Sequence, residues 1–73
     1  MKITDEKAFS VPSDTFAISA SETGYTLQYS VDGETFTDWD EEDIPAGENV
    51  VVRSTRGLIY KLSGNEGDVF ITY

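Results

Sequence analysis

Residues 24–39, with the sequence GYTLQYSVDGETFTDW, carry the strongest indication of fold in this chain. Their first half alternates apolar or aromatic residues with polar ones, which is typical of a β-strand with one buried face. The residues expected on that face are Tyr25, Leu27, Tyr29 and Val31. The stretch therefore predicts a half-buried strand that ends shortly before Asp32.

The Asp32-Gly33 pair that follows predicts a hairpin. A type I′ turn needs positive φ at both central residues, and Asp-Gly is a preferred pair at these positions. A two-residue loop then fixes the register. The facing pairs are Tyr29 with Phe36 and Val31 with Glu34. Trp39 lies three residues beyond Phe36, so the two rings share a face only if a bulge intervenes.

Alternation with a period of two continues on both sides of this hairpin and predicts four further strands, TFAISA, NVVVRS, GLIYKLS and VFITY. The side chains expected to face the core are Phe16, Ile18 and Ala20; Val50 and Val52; Leu58, Tyr60 and Leu62; and Val69, Ile71 and Tyr73. The second and third of these strands are joined around Thr55-Arg56-Gly57. We expect an all-β fold, a small antiparallel β-sandwich or barrel of five to six short strands joined by hairpins.

Residues 1–73 are expected to form a single domain. Residues 1–12 behave differently from the rest, because Ile3, Phe9 and Val11 mix with charged residues in no clear period and Pro12 separates them from the first strand. This segment is interpreted as an edge strand or strap over the core. The alternative is an N-terminal arm that docks on a neighbouring subunit.

Composition narrows the classes of partner. Fourteen acidic residues against five basic ones give a net charge of −9, which opposes binding to nucleic acid and to anionic membranes. No apolar run approaches the length of a membrane-spanning helix, and the first ten residues lack the apolar segment of a signal peptide. Cysteine and histidine are absent. A small core without disulfides or zinc favours stabilisation by association with other subunits.

The acidic stretch TDWDEEDIPAG, residues 37–47, invites comparison with a calcium site. Read as an EF-hand loop starting at Asp38, it has Asp43 where glycine is required and Asn49 where glutamate is required, so the match fails. A looser site built from Asp38, Asp40 and Asp43 is a minor alternative to a solvated loop. We predict no metal, no cofactor and no catalytic residue, since the chain has no nucleophile motif and a small sheet offers little cleft for a carboxylate pair.

Six residues are the candidates for a protein interface: Trp39, Asp40, Glu41, Glu42, Arg53 and Arg56. Trp39 is flanked by charge, and tryptophan is enriched among the residues that dominate interface affinity. The two arginines would pair with the acidic loop of the same chain or of a neighbour. The aromatic residues could instead form a platform that stacks on sugar rings, although their alternation with apolar residues favours core packing.

The order of YTLQYSVDG, an aromatic residue, IPAGENVVV and YKLSGN resembles small β-domains in virion proteins of tailed phages that infect gut Bacteroidetes, including the crAss-like group. The resemblance covers about two thirds of the chain. It implies a non-enzymatic capsid auxiliary (decoration) protein or a head-fibre component, located in the virion after assembly in the host cytoplasm. The implied partners are the major capsid protein, other virion proteins, or copies of the chain in a trimer.

Two other functions stay open at this point. One is a carbohydrate-binding or adhesin module, which needs exposed aromatic side chains along one face. The other is an acidic mimic of DNA, which is the weaker alternative because the acidic residues are concentrated in one loop rather than spread over a face.

Overall fold

The computed structural model describes residues 1–40, 42–53 and 56–73, and it contains seven short strands. They are β1 (Lys2–Thr4), β2 (Thr15–Ile18), β3 (Thr26–Ser30), β4 (Thr37–Asp38), β5 (Val50–Arg53), β6 (Ile59–Ser63) and β7 (Asp68–Thr72). All strand pairs are antiparallel. The described residues form no helix that is long and apolar enough to cross a membrane.

The strands form two sheets, one of four strands in the order β1-β7-β2-β5 and one of three in the order β4-β3-β6. Their inner faces share a single buried apolar cluster, as in a β-sandwich. The predicted all-β class is confirmed, and the arrangement is a sandwich with seven strands where five to six were expected.

The strands are joined differently from the prediction, because successive strands mostly change sheet. β5 pairs with β2 and β6 pairs with β3, so these neighbours in sequence lie in different sheets. Thr55, predicted to lie in their connection, is outside the described residues. Among the described strands, β3 and β4 are the sequence neighbours that pair directly. Alternation predicts which face of a strand is buried. It does not predict the sheet to which the strand belongs, because the strands of both sheets bury that face in the same apolar core.

The core follows the predicted faces closely. The buried apolar residues are Ile3, Phe9, Val11, Phe16, Ile18, Tyr25, Leu27, Val52, Tyr60, Leu62, Val69 and Ile71. Three predicted core positions are exposed instead: Ala20, Val31 and Tyr73. Val31 is 79 % exposed because β3 ends at Ser30 and the chain turns away from the core.

The turn after β3 is longer than the predicted type I′ hairpin. Tyr29 pairs with Thr37 rather than with Phe36. Gly33 has a φ of +81°, whereas Asp32 does not have the positive φ that a type I′ turn requires. The reason is chemical: the Ser30 hydroxyl and the Asp32 carboxylate bind nearby backbone N–H groups and hold a wider loop.

The N-terminal segment closes one side of the sandwich. β1 pairs with β7 at the edge of the four-stranded sheet, and Phe9 then pairs with Tyr60 on β6 of the other sheet. Two backbone hydrogen bonds join the second pair, at 2.9 Å from Phe9 N to Tyr60 O and 2.7 Å from Tyr60 N to Phe9 O. Residues 1–9 therefore contribute an edge strand and a link between the sheets.

The opposite side of the sandwich is less covered. Its edges are β4 and β5, each paired on one side only. The acidic loop crosses between the two sheets at one end of this side, where Ile44 pairs with Tyr25 and Gly47 N donates to Ser21 O at 2.8 Å. A groove remains between Trp39 and β5.

Candidate interaction surfaces

The groove between β4 and β5 collects most of the predicted interface residues. It has a volume of about 450 Å³ and is lined by Trp39, Asp40, Glu42 and Arg53, together with apolar residues of both sheets. Glu41 lies outside the described residues. These residues are thus neighbours in space, although Arg53 is distant from the others in sequence; their role as an interface stays a prediction.

Arg56 does not join the groove residues. Its Nε lies 3.3 Å from Asp14 Oδ1, and both side chains are about two thirds exposed. An exposed ion pair of this kind contributes little to stability. Arg56 therefore pairs within the chain, but with Asp14 rather than with the acidic loop. Arg53 is exposed on β5, opposite Thr15 of β2.

Trp39 is held at the edge of the core by two aromatic contacts. Its ring meets Tyr29 edge to face with centroids 5.4 Å apart, and Tyr60 lies 6.2 Å away. Its backbone N–H donates to Leu27 O at 2.8 Å, which extends the β3–β4 ladder by one residue. Trp39 is 38 % exposed, so one part of the indole packs inward and another faces the groove.

No bulge brings Phe36 and Trp39 to the same face. Thr37 faces Tyr29 in the ladder, so Trp39 shares the inner face with Tyr29, while Phe36 lies on the outer face. There Lys61 Nζ sits 4.6 Å from the centre of the Phe36 ring, a cation–π contact. The predicted pair of Phe36 with Tyr29 is therefore wrong, because the longer turn shifts the register by one residue.

The carboxylates considered for calcium have protein partners. Asp38 Oδ1 accepts a hydrogen bond from Gln28 Nε2 at 2.8 Å, and Asp43 Oδ1 accepts one from Thr26 Oγ1. Both contacts tie the acidic residues to the outer side of β3. In the part of the chain that the structure describes, no group of three or more acidic side chains is arranged to hold a metal ion.

Tyr25 and Tyr60 belong to the core and cannot serve in an exposed platform. Burial raises the pKa of Tyr25 to about 12, and the nearby negative charge of Glu48 adds to the effect. Burial also raises the pKa of Tyr60. Trp39 and Tyr29 are perpendicular, with an interplanar angle of 88°. Tyr25, Tyr29, Trp39 and Tyr60 therefore do not form the flat exposed row that would stack on sugar rings.

A second surface, which was not predicted from the sequence, is the outer face of the four-stranded sheet. The strand registers place nine residues on it: Lys2, Thr4, Thr15, Ala17, Val51, Arg53, Asp68, Phe70 and Thr72. Val51 is 70 % exposed and Phe70 is 57 % exposed. The sequence did contain a sign of this surface. In TFAIS, VVVR and VFIT the positions between the core residues are apolar, at Ala17, Val51 and Phe70, whereas the solvent-facing side of a sheet is usually polar.

This outer face is nearly free of acidic residues although the chain has fourteen. Asp68 is the acid among its nine residues, and it accepts a hydrogen bond from Thr4 Oγ1 at 2.7 Å and lies 3.9 Å from Lys2 Nζ. Lys2 and Arg53 outnumber it. The face therefore has a slightly positive net charge on a protein whose total is −9.

The loop between β3 and β4 is organised by two side chains. Ser30 Oγ accepts from Gly33 N at 2.8 Å and donates to Asp32 Oδ1 at 2.8 Å. The same carboxylate oxygen accepts from the N–H groups of Glu34 and Thr35, at 2.8 and 3.0 Å. These hydrogen bonds, led by the two backbone donors, lower the pKa of Asp32 to about 2.

Asp32 should give the protein a measurable acid dependence. Its pKa is lower in the folded chain than the usual 3.8, so its contribution is complete above about pH 4 and is lost as the pH falls toward 2. We expect Asp32→Asn to lower the melting temperature at pH 7 and to flatten its dependence on pH between 4 and 2. Thermal unfolding followed by circular dichroism tests this. The matched control is Glu34→Gln, which keeps the turn hydrogen bonds; an equal flattening in that variant would contradict the assignment.

Comparison of the chain with protein-family models, with curated proteins and with solved structures finds no match. The chain is therefore described by its own fold and surfaces: a small all-β sandwich with an acidic groove on one side and a nearly acid-free outer face on its four-stranded sheet.

Proposed function

We propose that this chain is a non-enzymatic structural protein of a phage virion, either a capsid decoration protein or part of a head fibre, that binds the major capsid protein or another virion protein, or copies of itself. The observation that carries the proposal is the outer face of the four-stranded sheet, where Val51 and Phe70 are exposed among threonines. The resemblance of residues 24–71 to small virion domains, described under Sequence analysis, points to the same function.

Electrostatics favour this face for docking. Two surfaces that each carry many carboxylates repel one another, and like charges across an interface oppose binding. The outer face holds Lys2 and Arg53 against Asp68 alone, so a partner can approach it without meeting the charge that dominates the rest of the chain. The acidic residues that remain exposed elsewhere would keep assembled particles dispersed.

Association at this face also suits a domain of 73 residues. A small domain buries a limited fraction of its surface on folding. A partner that binds only the folded state stabilises that state by mass action. In a capsid lattice or a trimer, symmetry repeats one modest interface many times. The exposed Phe70 ring would be the largest apolar group buried by such docking.

Phe70→Lys tests the proposal directly. We expect it to weaken co-sedimentation with empty capsids of a crAss-like phage, or the self-association seen by light scattering, at least about tenfold, which corresponds to about 1.4 kcal/mol. The physical reason is that the ring is lost from the interface and a charge must be desolvated there. Val31→Lys is the matched control, because Val31 is also exposed but lies in the β3–β4 loop.

Three outcomes would count against this function. Equal effects of Phe70→Lys and Val31→Lys would remove the outer face from the interface. A stable monomer that does not co-sediment with capsids would overturn the virion role. Specific hits for that monomer on a glycan array would replace it with the carbohydrate-binding alternative.

A further inference from the structure

We propose that the groove between β4 and β5 binds an extended segment of a partner protein that carries lysine or arginine, and that this segment adds a strand to the free edge of β5. The inference does not rest on the virion role, because its support is the free edge of β5 and the groove beside it. Val51 and Arg53 of β5 belong to both this groove and the outer face.

The first support is the unpaired edge of β5. Val50–Arg53 pairs with β2 on one side, and no described strand pairs with its other side. In an antiparallel pair, alternate residues direct their N–H and C=O groups away from the partner strand. An exposed edge with a run of three valines, Val50 to Val52, presents those groups in extended geometry, which is the arrangement that captures peptides by strand addition.

The second support is the apolar floor beside that edge. The groove is lined by Leu27, Trp39, Ile44, Val50 and Val52, which come from both sheets and the acidic loop. Side chains of an added strand alternate between its two faces, so every second residue would point to this floor. The volume of about 450 Å³ lies within the usual range of binding pockets.

The third support is the negative charge of the groove, which favours a basic partner segment. The polar rim of the groove is formed by four acidic residues, Asp40, Glu42, Asp43 and Glu48, and by one basic residue, Arg53. A segment with lysine or arginine on its solvent-facing positions complements this rim. A second copy of the chain suits it poorly, because each copy carries a net charge of −9.

Short synthetic peptides test the proposal on the intact chain. The probe is an acetylated and amidated peptide of alternating lysine and valine, about seven residues long to match a typical strand. Trp39 is the single tryptophan of the chain and lines the groove, so its fluorescence reports occupancy. We expect saturable binding with a Kd below about 1 mM, weakened several-fold by raising the salt concentration from about 0.1 M to 1 M.

Two altered peptides separate strand addition from simple charge attraction. A glutamate–valine peptide of the same length is expected not to bind. A lysine–valine peptide N-methylated at alternate residues keeps its charge but cannot donate the strand hydrogen bonds, and we expect at least a tenfold loss of affinity. Hydrogen exchange at the β5 amides should slow with the unmodified lysine–valine peptide and not with the methylated one.

A matched pair of variants locates the site. Glu48→Lys reverses a charge at the rim and is expected to weaken the lysine–valine peptide at least tenfold. Glu34→Lys makes the same change in the β3–β4 loop, outside the groove, and should change affinity less than about twofold. The proposal is overturned by the absence of saturable binding at about 1 mM, by equal binding of the methylated or acidic peptide, by equal effects of the two variants, or by β5 amides that are protected through self-association.

Discussion

Phe9→Ala is expected to cost about 3–5 kcal/mol of folding free energy, as large aromatic truncations in cores do. Phe9 is buried, its ring lies 5.9 Å from that of Phe16 and 5.8 Å from that of Tyr60, and its backbone pairs with β6. Domains have a free energy of unfolding of about 0.05–0.15 kcal/mol per residue. In a chain of 73 residues this substitution therefore removes a large part of the total free energy of unfolding.

Thermal and urea unfolding, followed by circular dichroism, measure this loss. For a domain of this size each kcal/mol lowers the melting temperature by about 4–8 °C, so we expect a drop of at least about 12 °C. Ser10→Ala is the control, since it changes an exposed neighbour. A loss below about 1 kcal/mol would mean that the N-terminal segment acts as a detachable arm rather than as part of the core.

Asn65→Ala is expected to destabilise the fold by about 2–4 kcal/mol, because buried partners that lose a hydrogen bond each cost about 1–3 kcal/mol. Asn65 is 2 % exposed. Its Nδ2 donates to the carbonyls of Asp5 and Gly67, at 3.0 and 3.2 Å, and its Oδ1 accepts from Ser21 Oγ at 2.7 Å. One side chain thus joins three loops that are far apart in sequence.

Amide hydrogen exchange distinguishes the loss of the Asn65 side-chain hydrogen bonds from a general decrease in stability. The Asp5 N–H donates to Gly67 O, and the Gly67 N–H donates to Asp5 Oδ1, both at 2.8 Å. These two amides should exchange faster in Asn65→Ala than global unfolding requires. Asn49→Ala is the control, because Asn49 is exposed and accepts one hydrogen bond, from Ala20 N. Equal effects of the two substitutions would contradict the role of Asn65.

Period-two alternation predicted the strands well because a strand in a sandwich has one solvent-exposed face and one buried face. It identified Phe16, Leu27, Tyr60 and Ile71 as core residues, and all four are buried. It failed where a side chain changed the local geometry. At Asp32 the carboxylate competes for backbone N–H groups, so a turn that Asp-Gly favours by backbone preference gave way to a wider loop.

The candidate surfaces were predicted only in part. Local signals located Trp39 and the acidic loop, because a lone tryptophan among carboxylates is visible in sequence. They could not show that Arg53 lies beside the same groove, since that depends on β5 forming the edge next to β4. The outer face was missed because its members, among them Lys2, Val51 and Phe70, come from four strands that are neighbours only in the folded sheet.

The sequence by itself determined the all-β class, the positions of most strands, the side of each strand that is buried, and the charge that opposes acidic partners. The tertiary structure alone decided the order of the strands, the closure of one side by the N-terminal segment, the opening of the other, and the joint at Asn65. The physical reason is that alternation and charge are local properties. Strand order and shared surfaces depend instead on which distant segments pack together, and many pairings of the same strands would bury the same apolar faces.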